Sequence, residues 1–254
     1  MSIDIAGDVL PDSTGGQPRA EGGIQVLPFY IVCDESSSMA GASIDAVNDG
    51  IIELFDEIHS NPTVDAKVRI GIIAFNDAAR LLFPLTQLSD VTKIPECVAS
   101  GSTSYASAFR LLRTQLETDV AQLRQRYQVH RPCVFFMSDG EPNPENWQSA
   151  LDNLVDPSFP FSPNIVSFGV AGAQQAVIAQ VARWNSKSGK KFFFMADEGG
   201  SPGAAIKEII RFIIQTIVAS ARSNQAAFQI EDGKTIGGTG PDEGQVTTFV
   251  IDSL

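Results

Sequence analysis

The sequence predicts an α/β fold built on a doubly wound parallel sheet flanked by helices, and two observations carry that reading. Five short runs, 27–33, 68–75, 134–137, 165–170 and 191–195, are apolar nearly throughout. Strands of a parallel sheet look like this because helices cover both faces and leave no side for polar residues. Between the runs, apolar residues recur at three- and four-residue intervals, the period that gathers them on one helix face. Strands separated by helices need crossover connections, which are right-handed and put helices on both sides of the sheet.

The elements follow in order. Residues 1–23 contain Pro11, Gly15, Gly16, Pro18, Gly22 and Gly23, and read as a flexible leader. The folded domain is predicted over 24–221. Its first strand, 27–33, leads to a helix whose face is Ile44, Val47, Ile51, Leu54, Phe55 and Ile58. After strand 68–75 comes a short candidate edge strand, 80–83, next to Pro84. A second long helix carries Phe109, Leu112, Leu116, Val120 and Leu123. Strand 134–137, helix 147–154, strand 165–170, helix 175–184, strand 191–195 and helix 204–221 complete the alternation. The closing segment, 222–254, is more polar, with a turn signal at 237–241 and a candidate strand at 246–251, docked on this domain or offered to a partner. No internal repeat is evident.

Composition narrows the function. A chain of 254 residues with 43% hydrophobic residues buries a sizeable core and is not a disordered one. The formal net charge of -12 argues against nucleic acid and anionic lipid as partners, since both need basic surfaces. It suits a cation or a basic partner patch, although most of the acidity serves solubility. No run of 18 apolar residues and no basic-then-apolar start occur, so neither a membrane span nor a signal peptide is indicated and a cytoplasmic location is expected. The three cysteines are odd in number, and Cys33 and Cys133 lie in strand-like runs without metal-type spacing; they read as buried thiols of a reducing compartment.

Three oxygen-rich loops punctuate the alternation. The first strand breaks off into Asp34-Glu35-Ser36-Ser37-Ser38, and the run 131–137 breaks off into Ser138-Asp139-Gly140-Glu141-Pro142. Between them, Gly101-Ser102-Thr103-Ser104 opens the second long helix. In an open parallel sheet the carboxyl ends of the strands share one edge, where loops distant in sequence converge. Carboxylate and hydroxyl oxygens are hard ligands of the kind Mg²⁺ or Mn²⁺ takes. Asp and Ser clusters also cap helices, and one is predicted from Ala42, so the first loop alone reads either way.

In these loops the chain resembles the von Willebrand factor A family. Its metal-ion-dependent adhesion site (MIDAS) combines an Asp-x-Ser-x-Ser loop after the first strand, a Thr in a Gly-rich loop and an Asp-Gly after the fourth strand. The resemblance assigns the metal to Asp34, Ser36, Ser38, Thr103 and Asp139, and covers roughly residues 25–220. It implies a Rossmann-like, mostly parallel sheet in which 80–83 is one short antiparallel edge strand. One departure is Ser102, where the family often has a second Gly. The wording of 27–30, Phe75-Asn76, and 138–142 with Trp147 beyond looks most like a bacterial stand-alone subgroup found with tellurite-resistance and chemical-stress gene clusters.

The resemblance implies a non-catalytic, Mg²⁺- or Mn²⁺-dependent protein-interaction module in which a partner's Glu or Asp completes the coordination. It further suggests a scaffold or regulator of a stress response beside a Ser/Thr kinase and a phosphatase. Two rival readings are a metal-dependent hydrolase or phosphatase, and a subunit presenting substrate to an AAA+ ATPase. Enzyme signals are weak. A haloacid-dehalogenase-type phosphotransferase would need a second carboxylate two positions after Asp34, where Ser36 stands, and the chain has neither a Gly-x-x-x-x-Gly-Lys loop nor a Gly-x-Ser-x-Gly elbow. His59 and His130 are expected at the surface or at helix ends, and no candidate base accompanies Ser36 or Ser38. Glu35 and Glu141 are expected on the solvated surface. Phe135, Phe136 and Phe192 to Phe194 read as core, whereas Trp147 reads equally as core or as an interface anchor.

Overall fold

Alternation of strand and helix holds along the chain, with additions at both ends. The computed structural model describes residues 2–4, 10, 24–170, 172–184, 190–197, 200–222, 227–229, 235–237 and 244–252. In chain order the elements are β1 (Ser2–Asp4), β2 (Gln25–Asp34), α1 (Ala42–His59), α2 (Pro62–Lys67), β3 (Val68–Phe75), β4 (Ala79–Thr86), α3 (Tyr105–Leu123), β5 (Gln128–Val129) and β6 (Cys133–Ser138). There follow α4 (Trp147–Val155), β7 (Asn164–Gly169), α5 (Gln175–Val181), β8 (Lys190–Ala196), α6 (Pro202–Arg222), β9 (Ala227–Gln229), β10 (Thr235–Gly237) and β11 (Gln245–Asp252). The leader expected over 1–23 lies outside the described residues apart from two pieces. β1 pairs antiparallel with β9, and the buried Leu10 donates its N–H to the Val129 carbonyl at 3.0 Å. The turn expected at 237–241 also lies outside them, Gly237 excepted.

The main sheet runs β10-β11-β8-β7-β6-β2-β3-β4, with β5 also on β2. Pairs from β3 through β2, β6 and β7 to β8 are parallel. The edges are antiparallel, and here the expectation of one short antiparallel strand is corrected. The strand at 80–83 extends over the eight residues of β4. At the opposite edge β11 pairs antiparallel with β8, and β10 with β11. The physical reason lies in β8, whose Phe192, Phe193 and Phe194 are all fully buried. β11 covers that edge, and its Phe249 stacks on Phe193 with ring centroids 4.9 Å apart.

Side chains of the central strands alternate between two cores, as the period of 2 requires. Phe29, Ile31 and Cys33 of β2 face the core shared with α1 and α6, while Tyr30 and Val32 face the one shared with α3 and α4. The second core ends in an aromatic block under the carboxyl edge of the sheet. Phe136 lies 4.9 Å from Tyr105 and 5.4 Å from both Phe75 and Phe109, centroid to centroid, and Trp147 lies 5.6 Å from Tyr105. Truncating Phe136 to alanine would remove about 3–5 kcal/mol of packing. Tyr105 also ties this block to the loop after β6, its hydroxyl donating to the Gly140 carbonyl at 3.2 Å.

Candidate metal centre

Because β2 lies between β3 and β6, the loops that follow β2 and β6 open side by side, and the loop before α3 meets both. Asp34 closes β2, where its carboxylate accepts the Ser36 N–H on Oδ1 at 2.8 Å and the Ser138 hydroxyl on Oδ2 at 2.5 Å. A 3-10 turn over Ser37–Met39 then brings Ser38 back beside Ser36, with the two hydroxyl oxygens 3.0 Å apart. Ser38 donates to Asp139 Oδ1 at 2.8 Å. Thr103 stands against the third loop, because a Cβ at Gly140 would lie 3.1 Å from its Oγ1 and 3.8 Å from Ser38 Oγ. Residues from three loops and up to 105 positions apart are thereby gathered at one edge.

The second loop is held from both sides. Gly101 accepts the Ser37 N–H on its carbonyl at 3.0 Å and has φ +71°, the left-handed region that favours glycine. A Cβ there would collide with the Asp77 carboxylate. Ser102, the departure from the family pattern, anchors the loop. Asp77 accepts its N–H at 3.0 Å and also its hydroxyl, and Asn143 Nδ2 donates to that hydroxyl at 3.0 Å. These two bonds from Ser102 hold the Asp77 carboxyl below its ordinary range. Asn143 fastens the next residue as well, its N–H reaching the Thr103 carbonyl at 2.8 Å.

Electrostatically this edge is short of positive charge. Asp34 is fully buried and Asp139 is 7% exposed. Burial pushes the Asp34 carboxyl up to about 6, against the opposing hydrogen bonds from Ser138 and Ser36, and the nearby Asp139 adds to the rise. Asp139 is raised by burial too, with the Ser38 bond opposing. The ion pairs among the described residues involve other carboxylates. Nor, among the described residues, do three or more His, Cys, Asp or Glu side chains gather to hold a metal. The donor set at this edge is two carboxylates with three hydroxyls, which fits a hard divalent cation and not a soft one.

Glu35 corrects the sequence reading. It is 2% exposed, and its carboxylate accepts two bonds from the Arg80 guanidinium, at 2.8 and 2.7 Å, and one from the Val98 N–H at 3.1 Å. With its backbone bonded to Phe75 and Ser100, it joins β3, β4 and the second loop to the first. Arg80, Asp77, Asn143 and Ser138 hold the three loops together and were not singled out by the sequence. Only Ser138 carried a signal, by adjacency to Asp139. Glu141 is exposed as expected and bonds Gln174. Trp147 is 4% exposed and belongs to the core. His59 ends α1 as expected, but His130 is buried, with Nε2 3.2 Å from Gln25 Oε1. Cys33, Cys97 and Cys133 are buried free thiols.

Comparison with known proteins bears on the fold. Residues 29–141 match the family model described as von Willebrand factor type A domain. No curated protein matches the chain. Among solved structures, proximal thread matrix protein 1 from the mussel byssus is similar at 17% identity and TM-score 0.52, over 78% of this chain and 49% of that one. A further structure of that protein, with a zinc-occupied MIDAS motif, gives 16% identity and TM-score 0.53 over 78% of this chain and 49% of that chain. The PilB minor pilin from Streptococcus sanguinis gives 9% identity and TM-score 0.53 over 79% of this chain and 63% of that chain. This chain thus spans about half the length of the mussel protein. Among the described residues no helix is long and apolar enough to cross a membrane. The sheet order, the helices on both faces and the matched segment make this the α/β fold of a von Willebrand factor type A domain.

Proposed function

We propose that the chain is a divalent-metal-dependent protein-binding module, non-catalytic, whose site is Asp34, Ser36, Ser38, Thr103 and Asp139. One observation carries this reading: two buried carboxylates, unneutralised by any ion pair among the described residues, share a water-facing edge with three hydroxyls. Asp34 and Asp139 balance the charge of one Mg²⁺ or Mn²⁺, and Ser36, Ser38 and Thr103 supply neutral oxygens. A cation held by few protein ligands offers a Lewis-acid position to an outside carboxylate. The partner would therefore be a protein presenting a Glu or Asp at this edge.

The mussel structure with a zinc-occupied MIDAS motif supports the class of site and leaves the ion open. Placing the module in a bacterial stress response, as scaffold or regulator beside a Ser/Thr kinase and a phosphatase, rests on the subgroup resemblance alone. The three buried free thiols favour a reducing, cytoplasmic setting. Thermal unfolding with Mg²⁺ or Mn²⁺ against chelator tests the site. A ligand of the folded state stabilises it by about 2.7 kcal/mol at a hundred times its Kd, so the metal should raise Tm in the native chain and not in Asp34→Asn or Thr103→Ala. An undiminished rise in both variants would place the cation elsewhere.

A further inference from the structure

Beside the metal edge lies a groove that metal chemistry leaves unused. It encloses about 730 Å³ and runs from Glu35 and Ser100 along Arg80 and Leu82 of β4, facing Ile94 and Val98 on the irregular segment opposite. Five large hydrophobic residues are exposed among the described residues, and two of them line this groove: Ile94 at 37% and Val98 at 62%. Scattered exposed apolar residues are ordinary; grouping beside a candidate site is the informative observation. Nor does Val98 sit on a loosely held backbone. Its N–H is bonded to Glu35, and the preceding Cys97 exchanges two bonds with Asn48 of α1, at 2.8 and 3.0 Å.

The other wall is the last strand of the sheet. β4 pairs with β3 on one side only, and among the described residues none of its main-chain groups bonds the backbone of the facing segment. A strand edge of this kind accepts an extended peptide, whose main chain bonds the strand while alternate side chains meet the groove. The metal position cannot choose between partners, since any accessible carboxylate can approach it; choice needs a second contact next to it.

We propose that this groove seats an extended segment of the partner protein, added along β4 with an apolar side chain against Ile94 and Val98 and its acidic residue on the metal. The acidic anchor rests on the metal reading above; the apolar contact stands on the groove. A displayed library of random dodecapeptides, panned on the full chain in Mg²⁺ and again in chelator, tests both parts separately. The peptides retained only in Mg²⁺ should share an Asp or Glu and an apolar residue at a constant spacing. Synthetic copies should bind Val98→Asp and Val98→Ser at least about tenfold more weakly, while Mn²⁺ titration of both variants matches the native chain. Amide exchange of β4 should slow when such a peptide binds. Mg²⁺-dependent acidic peptides with no apolar preference, or with undiminished affinity for both variants, overturn the groove and leave the metal reading standing. Peptides retained equally in chelator, or no enrichment in Mg²⁺, overturn the joint anchor and the metal reading with it.

Discussion

Replacing Arg80 by methionine is the sharpest perturbation of the loop frame, because Arg80 touches none of the proposed metal ligands. The Glu35 side chain is 3% exposed and would keep one of its three bonds, that from the Val98 N–H. Removing one partner of a buried ion pair costs about 3–5 kcal/mol, since the other charge is left uncompensated. Arg80 is 47% exposed in its side chain, so water takes over part of its place and the figure falls to about 2–3 kcal/mol. For a chain of this size, about 2–4 °C of Tm accompanies each kcal/mol, giving a loss of roughly 4–12 °C. Denaturant titration of Arg80→Met, Glu35→Leu and the double variant measures it. The double variant should recover most of the loss, because it leaves no buried charge behind. A single variant within about 0.5 kcal/mol of the native chain, or a double variant equal to the sum of the singles, would refute the argument that Glu35 is a buried charge held by Arg80.

Two further outcomes follow from the same geometry. With Asp34 up at about 6 in the metal-free fold, against an ordinary value of 3.8, the folded state binds its proton more tightly than the unfolded chain. Its contribution is therefore fully present below about pH 4 and lost as pH rises through about 6, a change of about 3 kcal/mol. Denaturation in chelator across that window should show the decline, and Asp34→Asn should flatten it; an equal decline in the variant would assign it to other groups. Gly101→Ala should destabilise the chain by about 1–3 kcal/mol, through the positive φ and the encounter with Asp77, and should weaken Mn²⁺ binding because Ser37 is fastened to this carbonyl. Unchanged Tm and unchanged Mn²⁺ affinity would mean that the loop adapts.

What was legible in the sequence followed from periodicity and from punctuation. The central strands are apolar on both faces, so the apolar run 68–75 coincides with β3 and the run 27–33 falls short of β2 by two residues at its start and one at its end. The three loops were found because a carboxylate or a small polar run interrupts an apolar strand or opens an amphipathic helix. Other parts left no such mark. α2 spans only six residues, Pro62–Lys67, too few for a helical period to register, although Asn61 caps it. β10 has three residues and sits beside a Gly-rich stretch. Glu35 reads as a surface residue in any single sequence, because its partner Arg80 lies 45 positions away and meets it only once β4 has paired with β3. Ser102 reads as a stiffened glycine until Asp77 and Asn143 are brought to it.

The arrangement of charge explains why Glu35 is neutralised and its neighbour is not. Three carboxylates, Asp34, Glu35 and Asp139, are buried at one edge, and had all three remained unpaired a single divalent cation would leave one negative charge to repel an incoming acid. Arg80 removes Glu35 from that sum, on the groove side and away from the hydroxyl cluster. Two negative charges remain, and these match a divalent ion. On the proposed reading, an arriving Glu or Asp would meet a locally neutral site with one electrophilic position, the condition under which a charge-assisted bond outweighs the general repulsion from a chain of net charge -12. On this account Arg80→Met should weaken capture of an acidic peptide more than it weakens Mn²⁺ itself, because the restored Glu35 charge attracts the cation and repels the ligand. Parallel titrations of the two, at low and high salt, separate these effects. Equal losses for metal and peptide, unaltered by salt, would mean that Arg80 acts on loop geometry alone.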